Sequence, residues 1–160
     1  MRYITILILG LLLAAQASFA QDRPTSAEAL KVIDYYYNGK GQGAVLMDSF
    51  LCQQVGKEGA LKNECLNKAA GQAPVGQEVY LWMNYLVPVG DHADIIINFI
   101  RQGKVRHTAR VKLAGAMRYR IWKKAPTDKA GQWNVSIIQE LENKDLEIGT
   151  LKYTVGQSKP

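Results

Sequence analysis

The chain has 160 residues, a formal net charge of +6 and 48% apolar residues. That length supports one domain with a hydrophobic core of its own, and the apolar content excludes a disordered chain. With two cysteines and two histidines in all, no zinc-ligand spacing forms.

Residues 1–20 read as a secretory signal. Arg2 supplies a positive start, residues 4–15 are apolar apart from Thr5 and Gly10, and Ser18-Phe19-Ala20 places small residues where a signal peptidase needs them, before Gln21. The rival reading is an uncleaved anchor. The apolar run is shorter than the roughly 20 residues that a span requires, and no cysteine stands at the cleavage point for lipid attachment. The expected location is therefore periplasmic or secreted. In an oxidising compartment Cys52 and Cys65 are expected to form one disulfide, closing a short loop and contributing about 3 kcal/mol. A redox pair would use CxxC spacing, which is absent here.

Thr25-Ser26-Ala27-Glu28 has the form of a capping box. Ala27, Leu30, Ile33 and Tyr37 follow at helical spacing, and Asn38-Gly39 is a good helix end, so a helix docked on the rest is expected over 26–37. Residues 38–43 (NGKGQG) are glycine-rich. A phosphate cradle needs a strand before it and a helix after it, and the order here is the reverse, so they read as a turn. Residues 45–55 predict a strand leading to Cys52. Residues 59–70 predict a short helix with Leu61, Cys65, Leu66 and Ala69 on one side. Pro74-Val75-Gly76 then punctuates the chain.

From Gln77 onward the pattern is β. Val79, Leu81, Met83, Tyr85 and Val87 share one face of a strand, and a second strand covers 94–101. Gln102-Gly103-Lys104 predicts a hairpin turn. Val105, His107, Ala109, Val111 and Leu113 then alternate with Arg106, Thr108, Arg110 and Lys112. Gly115 breaks the run. Met117, Tyr119 and Ile121 alternate with Arg118, Arg120 and Trp122. Trp133, Val135 and Ile137 share a face of the next strand, and Asn143-Lys144-Asp145 predicts a turn. Ile148, Leu151, Tyr153 and Val155 close the pattern, with Gly149 marking a bulge.

Seven short strands with frequent turns predict a mainly β protein, an antiparallel β-sandwich with an N-terminal amphipathic helix. The Arg101-Gln102-Gly103-Lys104-Val105 hairpin, Trp122, Ala130-Gly131-Gln132-Trp133-Asn134-Val135 and the closing Leu151-Lys152-Tyr153-Thr154-Val155 resemble small immunoglobulin-like domains of bacterial envelope proteins. The resemblance covers about half the chain and implies a binding or accessory role with no catalytic residues and no cofactor. The antibody-type Cys–Trp–Cys framework is missing, because both cysteines precede Trp82. The expected organisation is a signal peptide (1–20), a helical and disulfide-loop segment packed on the sandwich (21–76) and the sandwich strands (77–156). An α+β roll, with the helix across one curved antiparallel sheet, is the alternative.

Charge is the best functional clue. Residues 101–129 hold ten basic residues against Asp128 alone, whereas the rest of the mature chain is acidic on balance. Arg106, Arg110 and Lys112 share one side of a strand, and Arg118 and Arg120 share one side of the next. If those sides coincide, five cations form one surface that calls for a counter-charge. The counter-charge is either intramolecular or external. An external one would be an anionic envelope component, such as lipid headgroups or lipopolysaccharide phosphates, or an acidic protein, in preference to nucleic acid. The plain alternative is a solubilising face that blocks edge pairing. Asp91, His92 and Asp94 form the alternative site, an acid/base loop for a small hydrolase or inhibitor, with a solvated turn as its plain reading. His107 reads as a partly buried, hydrogen-bonded histidine, and Glu140, Glu142, Asp145 and Glu147 as a solvent-facing acidic hairpin.

Overall fold

A computed structural model of the protein describes residues 25–37 and 43–156. The signal-like residues 1–20 and most of the glycine-rich connector lie outside the described residues. The described chain is mainly β with one helix, α1 (Ser26–Tyr37). Seven strands follow: β1 (Val45–Val55), β2 (Cys65–Lys68), β3 (Gln72–Pro74), β4 (Val79–Arg101), β5 (Lys104–Ala125), β6 (Gly131–Leu141) and β7 (Lys144–Gly156). They join one hydrogen-bonded sheet in the order β2-β1-β4-β6-β7-β3, with β5 on the other edge of β4. All pairs are antiparallel except β3–β7.

Where two facing sheets of short strands were expected, one sheet curls into a half-barrel. The reason lies in β4 and β5. One strand was expected to end at Val87 and the next to begin at residue 94, with a loop between them. Instead residues 88–91 bulge while pairing continues on both sides, with Val87 opposite Ala116 and His92 opposite Ala114. Gly90, at φ +87°, adopts a conformation that side chains resist. The result is one 23-residue strand against one of 22 residues. A straight strand of that length would put its ends about 70 Å apart. Yet β5 ends beside Val79, and β6 starts beside Arg101 after a connector of only residues 126–130, which reaches roughly 20 Å at most. The β4–β5 hairpin must therefore fold back on itself.

The fold-back builds the core. Leu81, Met83 and Tyr85 from the first half of β4 meet Ile95, Ile97 and Phe99 from the second, joined by Trp133, Val135, Ile137, Tyr153 and Val155, all buried. Alternation assigned the inward faces of the first half of β4, of β6 and of β7; the inward face of residues 94–101 comes from the fold. β1 and β7, from opposite halves, also close on each other: a Cβ on Gly149 would stand 2.4 Å from Leu46 Cδ2, so a larger residue there would make the Leu46 side chain shift. The expected bulge lies beside it, where Ile137 pairs with Gly149 and Ile138 with Glu147. Gln102 and Gly103 make the β4–β5 turn, both at positive φ, as a two-residue hairpin loop demands.

The segment before Gln77 differs from expectation in two places. Residues 59–70 form a 3-10 turn (Gly59–Leu61) and β2. Asn63 at φ 63° breaks helical geometry, and β2 gains ladder partners on β1, with the Cys52–Cys65 disulfide at a Cα separation of 5.8 Å beside the pairing. The capping box of α1 forms: the Glu28 amide donates to Thr25 Oγ1 at 3.2 Å, and the Thr25 amide to Glu28 Oε2 at 2.7 Å. The apolar stripe does not seat the helix, because Leu30 and Ile33 stay 66% and 52% exposed. Polar contacts set its rotation instead. Arg118 pairs with Glu28 at 3.2 Å, Lys31 Nζ donates to the Met47 carbonyl, and the Tyr36 hydroxyl donates to the Gly43 carbonyl.

Candidate functional site

The outer sheet face holds the five cations singled out in the sequence. Four of them are ion-paired within the chain: Arg110 with Glu140 at 2.5 Å, Lys112 with Asp94 at 3.9 Å, Arg118 with Glu28 at 3.2 Å and Arg120 with Glu64 at 2.9 Å. The counter-charge of the strand face is thus largely supplied by the acidic remainder of the chain. Glu140, one of the acids expected to face solvent in the last hairpin, is among the donors of that charge. Its hydrogen bond holds the Arg110 guanidinium pKa above the ordinary value. Arg106 is exposed and has no such partner among the described residues.

Arg106 instead borders a cavity of about 400 Å³ at the open end of the half-barrel, lined by Arg101, Arg106, His107, Asp128, Lys129 and Trp133, with Pro126 at its wall. Each residue arrives there because the hairpin folds back. Arg101 ends β4, Arg106 and His107 open β5, Asp128 and Lys129 belong to the connector that rejoins the two ends, and Trp133 starts β6. The connector is pinned on several sides. The Trp133 indole N–H donates to the Lys129 carbonyl at 3.1 Å, and the Tyr153 hydroxyl to the Pro126 carbonyl at 2.8 Å. The Thr127 hydroxyl donates to the Gln77 carbonyl at 2.7 Å, and Arg101 Nε to the Ala130 carbonyl at 3.1 Å. Trp133 and Tyr153 stack at 6.1 Å behind this wall. Three permanent cations and one carboxylate therefore surround a cavity with a rigid aromatic support.

His107 belongs to this rim. It lies on the inward face as alternation required, 5.7 Å from the Phe99 ring, but it is exposed because the half-barrel is open there. The expected partly buried histidine is corrected by that opening. His92 and Asp94 share the outer face of β4 on either side of buried Ala93, with Asp94 3.9 Å from Lys112, and Asp91 and His92 lie exposed at the bulge. The negative field of Asp91 adds to burial in raising the pKa of Tyr36 on α1.

Trp122 sits in a second, smaller core on the outer face. It meets Tyr80 edge-on at 4.9 Å, beside Trp82, Cys52 and Val55. Phe50 stacks on Trp82 at 4.8 Å, with Lys68 Nζ 3.7 Å from the Phe50 ring centre. The disulfide is thus part of a packed aromatic patch and holds no free thiol.

Sequence reasoning reached Arg106 but missed the cavity. Arg101 and Lys129 stood in the cation-rich window, and the signal that joins them is the short connector between strands whose pairing partners lie at opposite ends of β4. No group of histidine, cysteine and carboxylate side chains suited to a metal ion occurs among the described residues. No protein-family model and no curated protein matches the chain.

Proposed function

We propose that the protein is a non-catalytic binding or accessory module of the periplasm or the secreted space, and that it holds an anionic group of an envelope component or of an acidic protein at the open end of its half-barrel. The observation that carries the reading is the division of the cations. Those along the strand face are neutralised by carboxylates of the same chain, whereas Arg101, Arg106 and Lys129 gather around a cavity with Asp128 as the one opposing charge. A cleft lined by one sign of charge concentrates ligands of the other. The disulfide fits an oxidising compartment, and no helix among the described residues is long and apolar enough to cross a membrane.

The test is binding of the purified protein to phosphatidylglycerol and phosphatidylcholine vesicles, to lipopolysaccharide and to polyglutamate, at low and moderate salt. Binding to at least one anionic probe is expected to weaken with salt, because screening acts on exposed charges. It is expected to fall about tenfold in an Arg106→Glu/Lys129→Glu variant and little in Arg110→Glu/Lys112→Glu. Equal losses in both variants, or no binding to any probe, would overturn the proposal.

A further inference from the structure

Among the described residues no strand pairs with the outer edge of β5. Its strand partner there is β4, which occupies the other edge from Lys104 to Ala125. A 22-residue edge is several times the usual strand length. Its outward amides and carbonyls are a template on which another strand can be laid.

The side chains decide which strand fits. β5 contains Lys104, Arg106, Arg110, Lys112, Arg118, Arg120, Lys123 and Lys124 and no carboxylate. A second copy of β5 would set like charges opposite one another, which is destabilising, so the edge rejects itself. The same charges attract an acidic strand. Arg110, Lys112, Arg118, Arg120 and Lys124 are already engaged by Glu140, Asp94, Glu28, Glu64 and Glu78. In the first half Arg106 is exposed at the register shift and has no carboxylate partner among the described residues. The register with β4 shifts between Phe99 and Ile100, so Val105 pairs with Ile100 on the outer face and is 54% exposed there, whereas Val111 and Leu113 on the inward face are buried. An apolar side chain is thus uncovered beside Arg106. A strand added here keeps the two-residue period of its neighbour. It would place a carboxylate beside Arg106 at the register shift and apolar side chains beside Ala109 and Val111 on the inward face.

We infer that residues 104–113 accept an extended acidic segment of a partner protein, with carboxylates and apolar residues at alternate positions, as an added strand. The inference rests on the anion-binding reading above and gives the partner a chemical class. A lipid surface supplies negative charge but no strand.

Fluorescence anisotropy with the purified protein and a labelled eight-residue peptide of alternating Glu and Val tests this. One control peptide is N-methylated at its four central amides, which keeps the charge and removes donors on both edges. Another carries Lys in place of Glu. The parent peptide is expected to bind, with both controls at least tenfold weaker. Arg106→Glu is expected to cost about tenfold and the distant Lys144→Glu almost nothing. Equal binding of the N-methylated peptide would overturn strand addition and leave the anion-binding reading standing. Salt-sensitive binding to phosphatidylglycerol vesicles without peptide binding would do the same, placing the contact on lipid. Binding to neither would overturn both.

Discussion

Two tyrosines link burial in this fold to its response to pH. Tyr85 is fully buried, and its hydroxyl reaches only the Met83 thioether, at 3.2 Å. Tyr153 is buried beside the connector, with its hydroxyl on the Pro126 carbonyl. Burial pushes both phenols above their ordinary range, and Asp128 adds to the effect at Tyr153. The unfolded chain then loses these protons first, near pH 10. Stability is fully present below that pH and falls as pH rises toward the folded values. Denaturant melts between pH 8 and pH 12 are expected to show this alkaline loss, with a shallower slope in Tyr85→Phe. An unchanged slope would mean that the phenol ionises without unfolding. Alternation put Met83 and Tyr85 on one face, but the Tyr153 bond to the Pro126 carbonyl was not legible, because alternation says nothing about the loop a side chain meets.

At the scale of elements, the inward residues of the first half of β4, of β6 and of β7 were readable because a two-residue period is local. What escaped was continuity. Pro88 and Gly90 carry the composition of a loop, yet the ladder with β5 resumes beyond them at His92 and Ala114, and backbone pairing outweighs the local signal. The same competition explains residues 59–70, whose apolar spacing suits a helix until β1 offers Cys65 and its neighbours a ladder. The disulfide was legible from compartment and count; the aromatic patch around it was not. Replacing both Cys52 and Cys65 by Ala is expected to lower the unfolding free energy by about 3 kcal/mol in urea melts under oxidising conditions. The wild-type protein should match the double variant once reduced. A loss well below 1 kcal/mol would show that the aromatic packing alone fixes β2 on β1.

At the scale of the whole molecule, function is argued from where charges end up once the sheet curls. Charge asymmetry was visible in the sequence, and so was the chance that the chain answers its own cations. Which ones it answers depends on contacts between residues 18 to 90 positions apart, such as Lys112 with Asp94 and Arg118 with Glu28, and no local pattern records these. Curling also gathers Arg101, Arg106 and Lys129 at the open end, and among the described residues β5 has no second strand neighbour. The central claim is that anionic contact occurs there and not along the neutralised strand face. Titrating the isotopically labelled protein with polyglutamate and following its backbone amide resonances tests that claim most directly. Shifts confined to Arg101, residues 104–111 and Lys129, and suppressed by salt, are the expected result. Shifts centred on Arg118, Arg120 and Lys124, or none at all, would contradict it.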